Sequence, residues 1–159
     1  MLTIRPANPT DVSQILWFIR QLAIYEKAEH EVHATAPQLH EALFGDSAHC
    51  GCLMAEMDDQ PIGFALYFFN FSTWLGKPGL YLEDLFVMPE SRGLGAGKAL
   101  LQALAKVAVE RGCGRFEWSV LDWNTPAIEF YESLGAKPQS EWIIYRTSGE
   151  ALERLAGTK

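Results

Sequence analysis

The run Arg92-Gly93-Leu94-Gly95-Ala96-Gly97-Lys98 carries the plainest chemical signal in the chain. It lies between a strand-like segment and a helix-like one. N–H groups at a helix start have no intrahelical partner, and the helix dipole favours negative charge there. Glycines leave the backbone bare, so an anion such as a phosphate can reach those groups. Two nucleotide-loop patterns fail on spacing. A P-loop needs glycine where Arg92 stands and Ser or Thr where Ala99 stands. A dinucleotide fingerprint begun at Gly93 or Gly95 needs a third glycine where Lys98 or Leu100 stands. What remains is Arg-x-x-Gly-x-Gly, from Arg92 to Gly97.

Other reactive types lie on either side. Glu83 and Asp84 are adjacent on a strand-like segment, and in a regular strand they point to opposite faces. Asn124-Thr125-Pro126 offers a capping residue and an early proline, and Phe130-Tyr131 lies in the helix that follows. Taken alone, these are a charged strand end and a half-buried helical tyrosine. His49-Cys50-x-Cys52 suggests a metal, but no second ligand pair stands at zinc-like spacing, so no metal site is expected.

Composition bounds the class. The 159 residues are 48% hydrophobic and 21% charged, which predicts a single globular domain over residues 1–159. A net charge of −7, from 13 basic and 20 acidic residues, argues against a nucleic-acid partner. It fits a cationic small molecule, and it fits plain solubility as well. The apolar run Ala65–Phe69 is too short to cross a bilayer, and Met1–Pro6 has no secretory pattern. A soluble cytoplasmic protein with reduced thiols is expected, since Cys50 and Cys52 are too close for an easy bridge and the three cysteines are an odd number.

Elements that position these residues follow from periodicity. Leu2–Arg5 reads as a strand. Asn8-Pro9-Thr10-Asp11 starts a helix whose apolar face is Val12, Ile15, Leu16, Ile19, Leu22 and Ala23. Thr35 and Gln38 stand at capping-box spacing for a second helix. Cys50–Met57 and Ile62–Phe71 form a hairpin across Asp58-Asp59-Gln60-Pro61, and Leu80–Val87 is a third strand there. Gly95–Arg111 is a helix, Phe116–Val120 a strand, and 124–134 a helix closed by Gly135. Trp142–Arg146 is predicted as a last strand and Ser148–Leu155 as a last helix. The order β-α-α-β-β-β-α-β-α-β predicts an α/β (α+β) fold, a mixed central sheet with helices on both faces.

Further motifs narrow the reading. Tyr81-Leu82-Glu83-Asp84-Leu85-Phe86-Val87 precedes the glycine turn; Trp123-Asn124-Thr125-Pro126-Ala127-Ile128-Glu129-Phe130-Tyr131 and Leu134-Gly135-Ala136 follow it. With Ile4-Arg5-Pro6-Ala7, Leu22-Ala23-Ile24-Tyr25-Glu26 and Gly63-Phe64-Ala65-Leu66-Tyr67-Phe68, this pattern resembles the GNAT superfamily of N-acetyltransferases over nearly the whole chain. Within it, the pattern is most similar to the diamine (spermidine/spermine) and thialysine N-acetyltransferases.

That resemblance implies direct transfer of acetyl from acetyl-CoA to a primary amine in a ternary complex. The pyrophosphate would meet the N–H groups of Gly93, Leu94, Gly95, Ala96, Gly97 and Lys98, with Arg92 and Lys98 adding charge. The pantetheine arm would pair with the backbone of Leu85, Phe86 and Val87, and Asn124 would also touch the cofactor. Glu83 would take the amine's proton, directly or through water, and Tyr131 would protonate the leaving thiolate. Tyr25, Glu26, Glu83, Asp84, Asp122 and Glu141 match acidic or polyamine-contacting positions, although the spacing after Gly135 is shorter here than in the family. The expected acceptor is a small cationic amine, the expected assembly a homodimer, and no membrane or nucleic-acid partner is expected. Acetylation of a protein amine or an aminoglycoside fits the same charge balance. Binding of acetyl-CoA without turnover is a further alternative, one that would not require both Glu83 and Tyr131.

Overall fold

The computed structural model describes residues 1–158. Its contacts fall into two compact units, Met1–Leu121 and Asp122–Lys159. In the first unit β1 (Leu2–Pro6), β2 (Gly51–Met57), β3 (Gln60–Ser72) and β4 (Lys77–Val87) are antiparallel neighbours. A short β5 (Arg115–Trp118) pairs with β4 in parallel, giving the sheet order β1-β2-β3-β4-β5. The β2–β3 hairpin turns at Asp58 and Asp59, with φ of 50° and 66°. Two positive-φ residues are what a tight hairpin turn matched to strand twist requires.

Helix α1 (Val12–Tyr25) follows a short turn that Asn8 and Asp11 cap reciprocally. Asp11 also takes a 2.7 Å ion pair from Arg5, whose Nε reaches Glu56 at 3.0 Å. This ties the start of α1 to β1 and β2, and the guanidinium holds the Asp11 carboxyl below its ordinary range. Helix α2 (Ala36–Phe44) begins at the expected Thr35–Gln38 capping box.

Both faces of the sheet are covered. Ile15 and Phe18 of α1 and Leu43 of α2 pack on Cys52, Met54, Phe64, Leu66 and Phe86. Phe18 stacks on Phe64 with ring centroids 5.7 Å apart. Alternation sends buried Leu53, Ala55 and Ala65 to the opposite face. There α3 (Ala96–Glu110) lies across all five strands, burying Leu100, Leu101 and Leu104. The expected mixed sheet between helices is present.

The second unit holds α4 (Thr125–Ser133) and α5 (Gly149–Ala156). The strand expected at Trp142–Arg146 does not form, and Trp142, Ile143, Ile144 and Tyr145 are exposed. A run rich in aromatic and β-branched residues becomes a strand only where an edge accepts its backbone hydrogen bonds. β5 is also shorter than expected, because its ladder with β4 ends at the Leu82–Trp118 pair. No helix among the described residues is long and apolar enough to cross a membrane.

Candidate active site

The glycine turn is built as its sequence suggests. β4 ends at Val87, Pro89–Ser91 makes a single 3-10 turn, and Arg92 is extended. Gly93 and Gly95 then adopt φ of 83° and 88°, left-handed backbone that disfavours any side chain. Gly95 caps α3 without a side-chain hydrogen bond. The first bond of the helix ladder runs from Ala99 N–H to Gly95 C=O at 2.9 Å, so the N–H groups of Ala96, Gly97 and Lys98 precede it. A Cβ placed on Gly93, Gly95 or Gly97 would meet nothing within 4 Å. Internal packing therefore does not explain these glycines, and they leave an open face over N–H groups at the positive end of a helix dipole.

β4 is not a regular strand. Leu66 pairs with Asp84 while Tyr67 pairs with Leu82, so Glu83 is an extra residue in a β-bulge. The bulge flips the phase of the side chains. Leu80 and Leu82 lie in register with Phe69 and Tyr67 on one face, whereas Asp84 and Phe86 lie with Leu66 and Phe64 on the α1 face. The expected opposition of Glu83 and Asp84 rested on regular alternation, which fails at this point. Glu83 is exposed and Asp84 half-buried.

Burial, then the charges of Glu83 and Glu26, pushes the Asp84 carboxyl up to about 7. Glu26, the residue that closes α1, is itself raised by burial. Burial and the Glu83 charge raise the Cys50 thiol. Glu83 and Glu26 thus both act on Asp84, and Tyr25 directly precedes Glu26 at the end of α1.

Backbone groups near the bulge divide by direction. Met88 N–H donates to Ile62 C=O at 2.8 Å, so Met88 faces β3. By antiparallel alternation Phe86 also faces β3, while Leu85 and Val87 turn their N–H and C=O to the other edge. β5 does not pair with that edge beyond Leu82, where its ladder stops. Of the three residues expected to pair with a cofactor arm, Leu85 and Val87 therefore offer backbone groups and Phe86 does not.

The Arg92 side chain folds back along the strand. Nε donates to Val87 C=O at 3.0 Å. The guanidinium carbon lies 5.3 Å from the Tyr25 ring centroid and 5.9 Å from that of Phe86, within cation–π range. Nothing in the sequence signals this contact, since it depends on the end of α1 meeting the end of β4.

The remaining candidates belong to the second unit. Asn124 caps α4, its Oδ1 accepting from Ala127 N–H at 3.4 Å. Tyr131 lies two turns along the same helix, hence on the same face as Asn124, with its ring against Phe130 at 5.7 Å. Asp122 precedes the cap and is exposed, and exposed Glu141 sits in the irregular segment before α5. The structure thus brings together Tyr25, Glu26, Glu83, Asp84, Arg92 and the glycine turn in one unit, and Asn124 with Tyr131 in the other.

Comparison with known proteins agrees with this arrangement. Residues 13–136 match the acetyltransferase (GNAT) family. The thialysine N-epsilon-acetyltransferase of Mus musculus is 39% identical, over 97% of this chain and 96% of that protein. The L-ornithine N5-acetyltransferase of Arabidopsis thaliana is 34% identical, over 96% of this chain and 86% of that one. Among solved structures, an integron cassette protein from the mobile metagenome of V. cholerae superposes with a TM-score of 0.81 at 28% identity, covering 98% of this chain and 97% of that one.

Proposed function

The chain belongs to the GNAT family of acetyltransferases, and from that premise we propose that it is an N-acetyltransferase moving acetyl from acetyl-CoA to a primary amine of a small cationic acceptor. The observation that carries this reading is one juxtaposition in the first unit. An open turn of helix-start N–H groups follows a strand end that β5 does not pair, and that strand carries Glu83 and Asp84, on the second of which Glu26 also acts. The first feature suits a pyrophosphate, the second an amide-bearing arm, the third an amine.

Acetyl-CoA supplies an activated thioester when bound. The turn from Gly93 to Lys98 would hold its pyrophosphate, with charge from Arg92 and Lys98; Leu85 and Val87 would pair with the arm, and Asn124 would add a contact. The acceptor's ammonium has a pKa of about 10.4, so it needs a base before its nitrogen can attack. Glu83 accepts that proton, directly or through water. Asp84, held near neutrality by its surroundings, accompanies it as the second acidic contact, with Tyr25 and Glu26 at the end of α1. The nitrogen lone pair forms the new C–N bond as the C–S bond breaks, and Tyr131 gives its phenolic proton to the departing sulfur. Asp122 and Glu141 are the further acidic residues that the resemblance suggests for the acceptor. A homodimer in the cytoplasm, taking no nucleic-acid or membrane partner, is part of the same proposal.

Spermidine, spermine, putrescine, thialysine, lysine and an aminoglycoside, each incubated with acetyl-CoA and followed by product mass, test the reading. Time-dependent acetylation of a diamine or of thialysine supports it. Preference for the aminoglycoside, or binding of acetyl-CoA with no product, moves it to one of the alternatives. Tyr131→Phe removes one oxygen and keeps the ring. Turnover should fall about 10²-fold with acetyl-CoA affinity nearly unchanged. Wild-type turnover would return Tyr131 to a packing role.

A further inference from the structure

Arg92 touches three parts of the site at once. Its backbone opens the glycine turn, its Nε holds the carbonyl of Val87, and its guanidinium lies against Tyr25 and Phe86. We infer that Arg92 positions the acceptor end of the site through Tyr25, and that it exchanges this place for the pyrophosphate when acetyl-CoA binds, so that cofactor and acceptor sites are coupled. The inference rests on the reading of the turn as the pyrophosphate cradle.

The argument is one of competing partners. Val87 C=O is among the backbone groups turned to the edge of β4 that β5 leaves unpaired, so an arm pairing there needs the same carbonyl that Arg92 now occupies. A phosphate in the turn offers the guanidinium a charged, two-pronged acceptor in place of a neutral one. Moving to it frees Val87 for the arm and removes the cation from the Tyr25 ring. Tyr25 is the last residue of α1 and Glu26 its cap, so the same movement alters the helix end that faces the carboxylates. Binding coupled in this way is reciprocal. The Arg92–Tyr25 contact must oppose acetyl-CoA binding by as much as acetyl-CoA binding weakens the contact.

Removing the ring should therefore tighten acetyl-CoA binding, an effect that a purely structural tyrosine would not produce. Calorimetric titration of acetyl-CoA into the wild type, Tyr25→Leu, Arg92→Gln and the double variant reads this without any acceptor. Tyr25 is 40% exposed, so its replacement leaves the core intact. Tyr25→Leu should tighten binding about two- to five-fold, the scale of an exposed cation–π contact. Arg92→Gln should weaken it about ten-fold or more, and in that background Tyr25→Leu should have no effect. Tyr25→Leu binding no tighter than wild type, or tightening equally without Arg92, overturns the exchange. Arg92→Gln binding as wild type overturns it and also removes Arg92 from the pyrophosphate. Because only cofactor binding is read, an acceptor panel without product would sink the amine reading while leaving a positive cycle standing.

Discussion

The two halves of β4 share one chain and differ in one respect. From Gly79 to Leu82 the strand is paired on both edges, with β3 and with β5; from Asp84 to Val87 it is paired with β3 and not with β5. The doubly paired half is packing material. Leu80 and Leu82 are 0% and 3% exposed. The singly paired half carries two interacting carboxylates and turns the backbone of Leu85 and Val87 to the edge that β5 leaves unpaired. One inserted residue, Glu83, separates the two. It follows the last residue matched with β5, reverses the side-chain phase and sets Asp84 on the α1 face. A sheet can thus be both rigid and receptive along one strand, if its ladder is broken at the right residue.

The contrast breaks most sharply in stability. Leu80→Ala empties a fully buried position in the paired half and should cost about 2–5 kcal/mol. Denaturant melts read this, and turnover per folded molecule should stay near wild type. A loss of activity without loss of stability would mean that the paired half also serves the site.

Asp84→Asn has a smaller effect, confined to a window of pH. In the folded chain the Asp84 carboxyl keeps its proton up to about 7, against 3.8 for a free one. Between those values the folded state binds the extra proton, so stability falls as pH rises through the window and is level above it. Thermal melts at pH 5 and pH 8 should show Asp84→Asn gaining stability relative to wild type at the higher pH. An equal difference at both values would mean that burial and the neighbouring carboxylates do not shift this group.

The sequence displays these features unevenly. The glycine turn is legible because its requirements are local: left-handed φ at Gly93 and Gly95 and a helix start at Ala96 are all written within a few residues. The Thr35–Gln38 capping box is legible for the same reason. The bulge is hidden because both sheet faces are covered. Leu80, Leu82 and Phe86 keep an even spacing and are all buried, so hydrophobicity does not record that the strand changes face between them. The Trp142–Arg146 run misleads from the opposite direction, since strand propensity says nothing about whether an edge is at hand. Arg92 lodges against Tyr25 through an approach of distant segments, which no local pattern encodes.

The central claim is that the singly paired half of β4 removes the acceptor's proton. The rate of acetyl transfer to one diamine, measured for wild type and Glu83→Gln from pH 6 to pH 10, tests it most directly. The account predicts a defect of about 10²-fold near neutrality that shrinks as the amine begins to deprotonate unaided. A defect of constant size across the range, or one confined to the KM of the acceptor, would contradict it and leave Glu83 as a charge contact only.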